Sequence, residues 1–184
     1  MDKTVAHAIS APLITAERIQ ERVAELAHEI NRDFSADHLL VVGILKGAFV
    51  FMADLVRRLD LRLQTDFMAI SSYGAATRSS GVVRILKDLE EPIEGRSVLI
   101  VEDIVDTGLT LSYLLALLRE RRPARLATCV LLDKSECRQI PVPVEYVGFA
   151  IPNEFVVGYG LDFRQDLRNL PYIAKLHQTS RASA

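Results

Sequence analysis

The sequence predicts an α/β fold, in which a doubly wound, mostly parallel sheet of about five strands is flanked by helices. Short apolar runs without alternation, such as 39–45 and 97–102, are typical of strands that are buried on both faces. Segments with apolar residues at helical spacing separate these runs, and strands that alternate with helices favour a parallel sheet. A ligand site is then expected at the carboxyl ends of the strands.

The N-terminal third predicts a helix followed by a β-turn-α unit. Thr15 is a plausible N-cap for the first helix. The apolar side chains of this helix recur at helical spacing at Ile19, Val23, Leu26, Ala27 and Ile30. The strand 39–45 then leads through Lys46 and Gly47 into a second helix that ends near Leu59. The side chains of this second helix expected in the core are Phe49, Met52, Leu55 and Val56.

The rest of the chain continues the alternation of strands and helices. Five further strands are expected, at 61–69, 82–86, 97–102, 126–132 and 144–151. Between the first two lies the Ser/Gly/Ala-rich segment 71–81, which is expected to be a long mobile loop. The helix after the strand 97–102 is ended by Pro123. Its apolar stripe consists of Leu111, Leu114, Leu115 and Leu118.

The composition is that of an ordinary globular domain. Of 184 residues, 49% are hydrophobic and 25% are charged, which allows a sizeable core and excludes a disordered chain. We expect one domain over 1–176 and a flexible tail at 177–184. The net charge of −2 argues against a broad surface for nucleic acid or an anionic membrane. Since no membrane span or secretory signal is recognisable, a cytoplasmic protein is expected.

The densest chemical signal is the segment VLIVEDIVDTGLTL (98–111). A buried strand is followed by the acids Glu102 and Asp103 and, after two loop residues, by Asp106. Carboxylates at this point accept hydrogen bonds from sugar hydroxyls or hold a hard cation such as Mg²⁺. An acidic pair alone is more often solvated charge, so the signal depends on the residues that follow it.

A helix with residues suited to an anion opens directly after Asp106. Thr107 and Thr110 supply hydroxyls, and Gly108 lets the backbone approach a ligand closely. The first amides of the helix are unpaired and point towards a ligand, which makes this N-terminus a cradle for phosphate. Together with the carboxylates, the cradle predicts a phosphorylated sugar as ligand. The motifs G-x-x-x-x-G-K-[ST] and G-x-G-x-x-G are both absent.

This segment resembles the 5-phosphoribosyl-1-pyrophosphate (PRPP) motif of the type I phosphoribosyltransferases, and most of all that of their hypoxanthine-guanine, purine-salvage branch. Four other segments match the same family. They are its pyrophosphate loop LKG (45–47), its lid start SSY (71–73), its purine-reading DKS (133–135) and its C-terminal signature FVVGYGLDFRQDLRNLPYI (155–173). The resemblance covers about 39–173 and implies the family's fold, with a small hood formed by the C-terminal segment and the N-terminus.

The resemblance implies an Mg²⁺-dependent enzyme that transfers the 5-phosphoribosyl group from PRPP to N9 of hypoxanthine, and of guanine. The products would be IMP or GMP and pyrophosphate, and the partners small molecules, without nucleic acid or membrane. The family is also usually dimeric or tetrameric, so a homo-oligomer is implied. A xanthine-preferring enzyme and a non-catalytic RNA-binding regulator on the same fold stay open as alternatives. The net charge and Asp106 argue against the regulator, and Lys134 argues against adenine as substrate.

The resemblance further implies roles for single residues, with Asp106 as the proton acceptor at purine N7. The expected ribose and phosphate contacts are Glu102, Asp103, Asp106, Thr107, Gly108, Leu109 and Thr110. The expected purine contacts are Lys134 at the 6-oxo group, Phe155 against the ring and the Val156 backbone at the C2 edge. Pyrophosphate would contact Lys46, Gly47 and Arg168, metal ions would bind Glu102, Asp103 and Asp162, and Ser72 and Tyr73 would close over the reacting centre. Leu109 departs from the family pattern, because many relatives carry a basic residue there.

Overall fold

The computed structural model describes residues 9–72 and 83–177, which form two sheets and three α-helices. The elements are β1 (Ile9–Ile14), α1 (Ala16–Asp33), β2 (Leu39–Leu45), α2 (Phe49–Val56), β3 (Leu63–Ser72), β4 (Val83–Lys87), β5 (Ser97–Val105), α3 (Leu109–Glu120), β6 (Arg125–Asp133), β7 (Tyr146–Ala150), β8 (Val156–Val157) and β9 (Ile173–Leu176). A short 3₁₀ helix, Ser135–Cys137, follows β6. In the part of the chain described, no helix is long and apolar enough to cross a membrane.

The larger sheet has six strands in the order β4-β3-β2-β5-β6-β7. Strands β3, β2, β5, β6 and β7 are parallel, and β4 is an antiparallel edge strand beside β3. This arrangement confirms the predicted α/β class and adds the antiparallel strand to five parallel ones. From β2 the chain crosses to β3 on one side, and from β5 it crosses to β6 on the other. The carboxyl ends of β2 and β5 therefore flank the point at which the strand order reverses, where such sheets bind ligands.

Alternating residues of the central strands pack against helices on opposite faces of the sheet. On one face, Leu39, Val41, Leu99 and Val101 form a buried cluster with residues of α1 and α2. On the other face, Leu40, Val42, Val98 and Ile100 pack with the leucines of α3. The predicted stripe Leu111, Leu114, Leu115 and Leu118 is buried there. Helix α1 begins as predicted, because the Thr15 hydroxyl accepts a hydrogen bond from the Arg18 amide at 3.3 Å.

The smaller sheet is the hood implied by the family resemblance. Its order is β1-β9-β8, and both pairings are antiparallel. It joins the N-terminal strand to two strands of the C-terminal segment, with Ile14 opposite Ile173. The individual strands were not recognised in the sequence, since β8 has 2 residues and β9 has 4. Such short strands show no clear periodicity.

Three local expectations were wrong. Strand β3 extends through Ser72, so the first two residues of the expected loop 71–81 are paired with β4. Strand β5 extends through Val105 instead of ending at Glu102, because Ile104 and Val105 continue the parallel pairing with β6. The acids Glu102 and Asp103 therefore lie within the strand. Phe49 is 44% exposed and not part of the core. The buried face of α2 consists of Phe51, Met52 and Leu55, and a side chain two residues before Phe51 points away from it.

Candidate active site

Two adjoining cavities lie at the carboxyl ends of β2 and β5. The larger measures about 420 Å³, and its polar lining consists of Lys46, Gly47, Glu102, Asp103, Thr110, Asp162 and Arg168. The smaller measures about 130 Å³, and its polar lining consists of Glu102, Asp106, Thr107, Gly108 and Thr110. Glu102 and Thr110 belong to both linings. A further cavity of about 390 Å³ lies at the amino ends of β2 and β3, and none of the predicted site residues lines it.

The smaller cavity is shaped by the turn from β5 into α3. Gly108 has a φ of +84°, and a Cβ at this position would lie 2.6 Å from the Ile140 carbonyl oxygen. The Thr107 carbonyl accepts hydrogen bonds from the amides of Gln139 at 2.9 Å and Ile140 at 3.2 Å. These hydrogen bonds fix the turn on the side of residues 139–140. The first amides of α3 face the smaller cavity on the other side. Leu109 lines neither cavity; its amide lies 3.4 Å from the Thr107 hydroxyl oxygen. This arrangement can bind a phosphate group.

The larger cavity contains two acids, Glu102 and Asp103, whose pKa values are raised. Burial, with a contribution from Asp103, raises the pKa of Glu102 well above its usual range. Within the described ranges, Glu102 Oε2 is buried and has no hydrogen-bond partner. Burial also raises the pKa of Asp103 to about 6; Asp162 adds to the rise, while backbone amides and Arg168 oppose it. Two carboxylates of this kind, on partly buried residues, suit a cation or the hydroxyls of a ligand.

The acids do not form a complete metal site by themselves. Among the residues that the structure describes, no three His, Cys, Asp or Glu side chains converge closely enough to hold a metal ion. Mg²⁺ commonly binds through one or two carboxylates and completes its coordination with water and substrate phosphates. The carboxylates therefore fit a magnesium ion that arrives with a phosphorylated substrate.

The opposite wall of the larger cavity joins the hood to the loop after β2. Arg168 contacts Asp162 at 2.6 Å and donates to the Gly160 carbonyl at 2.7 Å. The Gln165 side-chain oxygen accepts from Lys46 Nζ and from Arg168, each at 3.2 Å. Lys46 and Arg168, which are far apart in the sequence, are thus brought together. Gln165 was not predicted as a site residue, although it lies within the signature 155–173.

A second pair of predicted residues meets beside the smaller cavity. Lys134 Nζ lies 3.8 Å from Asp106 Oδ2, because each residue directly follows one of the neighbouring strands β5 and β6. The Lys134 side chain is only 9% exposed. Arg138, which sequence reasoning missed, donates to the Asp106 carbonyl at 3.3 Å and pairs with Asp133. Its position after the 3₁₀ helix is not indicated by any sequence pattern.

The remaining predicted site residues lie farther out or are not described. Phe155 is 45% exposed and packs edge-on against Phe163, with ring centroids 6.0 Å apart. Val156 is buried in β8 and pairs with Lys175. Neither Phe155 nor Val156 lines the two cavities. Ser72 ends β3, but its side chain is not described, and Tyr73 lies outside the described residues, as does most of the proposed lid.

Comparison with known proteins relates the chain to one family. Residues 14–164 match the phosphoribosyl transferase domain. A hypoxanthine-guanine phosphoribosyltransferase of Mycobacterium avium is 55% identical over 174 residues, which cover 91% of this chain and 86% of that protein. An enzyme of the same name from Dictyostelium discoideum is 52% identical over 170 residues, with coverage of 90% and 94%. A crystal structure of a hypoxanthine phosphoribosyltransferase from Staphylococcus aureus aligns with a TM-score of 0.90 and 45% identity over 96% of both chains.

Proposed function

This chain belongs to the phosphoribosyl transferase family, and on that premise we propose how its site transfers a phosphoribosyl group from PRPP to hypoxanthine or guanine. The transfer is a purine-salvage reaction. A bond forms between ribose C1 and N9 of the base, the bond from C1 to pyrophosphate breaks, and the base loses one proton. The products are IMP or GMP and pyrophosphate.

The observation that carries the assignment of the base is the 3.8 Å separation of Lys134 Nζ and Asp106 Oδ2. An ammonium group can only donate hydrogen bonds, and a carboxylate can only accept them. A 6-oxopurine offers the complementary pair on one edge, with an acceptor oxygen at C6 beside a protonated N7. Lys134 would donate to that oxygen and Asp106 would accept the N7 proton as N9 attacks the ribose. Adenine would present an amino group to Lys134, with no hydrogen bond to gain.

Each of the two cavities would bind one of the two anionic ends of PRPP. The 5′-phosphate binds at the amides of α3 and the hydroxyls of Thr107 and Thr110, where the helix dipole favours an anion. The pyrophosphate lies in the larger cavity near Lys46, Gly47 and Arg168. The Lys46 ammonium and the Arg168 guanidinium would stabilise the negative charge that develops on the leaving group. The ribose hydroxyls face the carboxylates between the two anionic ends.

Enzymes of this family generally use Mg²⁺ with PRPP, and the carboxylates of the larger cavity fit it. Glu102 and Asp103 would hold one ion and Asp162 a second. The unpartnered Glu102 Oε2 and the raised pKa of Asp103 support this proposal, since a cation would relieve both. When bound, Mg²⁺ neutralises charge on the pyrophosphate and the ribose oxygens.

The test of this function is turnover with a panel of bases. The purified protein is incubated with PRPP and Mg²⁺ plus hypoxanthine, guanine, xanthine or adenine, and nucleotides and pyrophosphate are quantified by chromatography. We expect IMP from hypoxanthine and GMP from guanine, with equal amounts of pyrophosphate and no AMP. Failure to form a nucleotide from either 6-oxopurine would overturn the function, and a preference for xanthine would change its substrate.

Self-assembly of the chain is a separate proposal, supported by the family membership. A homodimer or homotetramer is expected in solution. Light scattering coupled to size-exclusion chromatography would give the mass of the assembly, and a mass of 20.5 kDa, that of one chain, would contradict the proposal.

A further inference from the structure

Tyr159 connects the C-terminal segment to the helix that follows the pyrophosphate loop. Its side chain is buried, with the residue 3% exposed, and its hydroxyl donates to Asp54 Oδ2 at 2.6 Å. Asp54 lies on α2, which begins two residues after Gly47. This hydrogen bond therefore joins two parts of the chain that each contribute residues to the larger cavity.

Hydrogen bonds and an ion pair from several residues fix the position of the Asp54 carboxylate. Gln20 of α1 donates to Asp54 Oδ2 at 2.7 Å, and Arg57 pairs with the other oxygen. Arg58 in turn donates to the Gln20 side-chain oxygen at 2.8 Å. Burial acts to raise the pKa of Asp54, but the hydrogen bonds from Tyr159, Gln20 and Arg57 outweigh it and hold the pKa below its usual value. Asp54 is thus an ionised, fixed acceptor for the Tyr159 hydroxyl.

The backbone at Tyr159 adopts a conformation that an L-residue rarely takes. Gly158, Tyr159 and Gly160 have φ values of +99°, +51° and +101°. The amides of Tyr159 and Gly160 bond to the carbonyls of Leu170 and Arg168, at 2.8 and 2.9 Å. A positive φ at a bulky residue persists only where the surroundings enforce it, and such positions cluster at functional sites.

This conformation brings residues 158–160 into contact with the pyrophosphate loop 45–47. A Cβ at Gly160 would overlap the Gly47 carbonyl oxygen, so the two backbones are in direct contact. Asp162 follows two residues later, and Arg168 donates back to the Gly160 carbonyl at 2.7 Å. The positions of Asp162 and Arg168 relative to Gly47 therefore depend on where Tyr159 is anchored.

We propose that Tyr159 is a positioning residue for the pyrophosphate half of the site, acting through its hydrogen bond to Asp54. The bond sets the separation between the Lys46-Gly47 loop and the pair Asp162 and Arg168. The inference rests on the proposed function, since pyrophosphate must lie between these groups. The base-binding pair Lys134 and Asp106 follows β5 and β6, and Val156 is held by its pairing with Lys175 in the hood. We therefore expect the bond to act mainly on the affinity for PRPP and pyrophosphate.

The test compares Tyr159→Phe with a matched control, Tyr146→Phe. Tyr146 is also buried, 4% exposed, and donates to an aspartate, Asp33 Oδ2, at 2.9 Å. That second bond joins β7 to α1 and touches no residue of the larger cavity. Each variant loses one hydroxyl and keeps the aromatic ring. The measurements are KM for PRPP and hypoxanthine, KM for pyrophosphate in the reverse reaction, and the melting temperature.

For Tyr159→Phe we expect KM for PRPP and for pyrophosphate to rise about 5–10-fold, since a displaced binding group loses its contacts. KM for hypoxanthine should stay within about twofold of wild type, and Tyr146→Phe should leave all three constants unchanged despite a lower melting temperature. Asp54→Asn keeps a weaker, neutral acceptor, so its KM for PRPP should fall between those of wild type and Tyr159→Phe.

The outcomes separate this inference from the proposed function. An active wild type whose Tyr159→Phe variant keeps its KM for PRPP would overturn the positioning role and leave the function standing. Equal changes in KM for PRPP and for hypoxanthine would show that Tyr159 has only a structural role. The same changes in Tyr146→Phe would show this too, and either result would overturn the positioning role. A wild-type protein without turnover would overturn both.

Discussion

The backbone of Gly47 lies directly against the carboxyl group of Asp103, although Gly47 follows β2 and Asp103 lies within β5. Gly47 is buried, and a Cβ at this position would overlap Oδ1, Oδ2 and Cγ of Asp103. No side chain larger than hydrogen fits while both groups keep their positions. The contact places the loop after β2 beside an acid of β5, and so joins the proposed pyrophosphate and magnesium subsites.

Gly47→Ala is expected to damage PRPP use without unfolding the protein. The added methyl must displace either the loop or the Asp103 carboxylate, and a shift of about 1 Å in a binding group costs on the order of 100-fold in kcat/KM. The measurement is kcat/KM for PRPP together with the melting temperature. Gly95→Ala is the control, since Gly95 has a φ of +71° and open space around a Cβ. That variant should lose stability but keep kcat/KM; an unchanged kcat/KM in Gly47→Ala would contradict the prediction.

Asp106→Ala is expected to lower kcat by roughly 10²–10⁴, the usual effect of losing a general base. PRPP should still bind, because the amides of α3 and the threonine hydroxyls remain. Turnover is measured by nucleotide formation and PRPP binding by calorimetry. Glu136→Gln, at an exposed acid of the neighbouring 3₁₀ helix, is the control. A full rate in Asp106→Ala would remove this residue from the mechanism.

Lys134→Ala is expected to raise KM for hypoxanthine and guanine far more than KM for PRPP. The reason is that the buried ammonium, which lies beside Asp106, is proposed to donate to the 6-oxo group of the base and lines neither cavity assigned to PRPP. Steady-state kinetics with each substrate varied in turn measure the effect, and Ser135→Ala serves as the neighbouring exposed control. Equal increases for base and PRPP would contradict the role of Lys134 as base reader.

Asp103→Asn is expected to stabilise the free protein while weakening its response to PRPP and Mg²⁺. Burial makes the carboxylate charge costly, so removing it should raise the free energy of unfolding by about 1–3 kcal/mol. Wild type should gain stability when both ligands are added, because they bind only the folded state. Thermal melts with and without ligands measure both effects. Glu120→Gln, at an exposed residue, is the control and should behave as wild type. The prediction is refuted if Asp103→Asn without ligands is less stable than wild type, or if it gains as much stability from the ligands as wild type does.

Asp66→Asn is expected to destabilise the protein at neutral pH but not in acid. Burial acts to raise the pKa of Asp66, but amides of Glu90 and Phe67 and the Lys87 ammonium outweigh it and lower the pKa. As the pH falls, Asp66 therefore binds a proton at a higher pH in the unfolded chain than in the folded protein. The stabilisation is complete above the ordinary pKa of about 4 and is lost as the pH drops through the folded value.

Urea unfolding at neutral pH and near pH 3 measures this effect. At neutral pH we expect a loss of about 1–2 kcal/mol in Asp66→Asn, and a much smaller difference in acid. Asp60→Asn, at an exposed residue, should change stability by less than about 0.5 kcal/mol. An equal loss of unfolding free energy at both pH values would show that the charge of Asp66 does not contribute to stability.

The predictable parts of the site are those whose residues are consecutive in the chain. The acids, the turn proposed to bind phosphate and the start of α3 occur within 98–111, so their local order already indicates the proposed chemistry. Even here the end of β5 was misjudged, because strand length depends on the partner β6. The exposed Phe49 was misjudged for a similar reason, since helical spacing does not show which side of α2 the sheet covers.

The amino-acid sequence by itself determined the α/β class, the glycine-containing turn between β5 and α3 and, through its motifs, the family. Periodicity and capping are local properties, and they act before any distant contact forms. Only the tertiary structure decided that Gln165 joins Lys46 to Arg168, that Lys134 lies 3.8 Å from Asp106, and that Tyr159 is anchored on Asp54. These contacts link residues far apart in the chain. Their distances follow from strand order and from the packing of the hood, which no local pattern encodes.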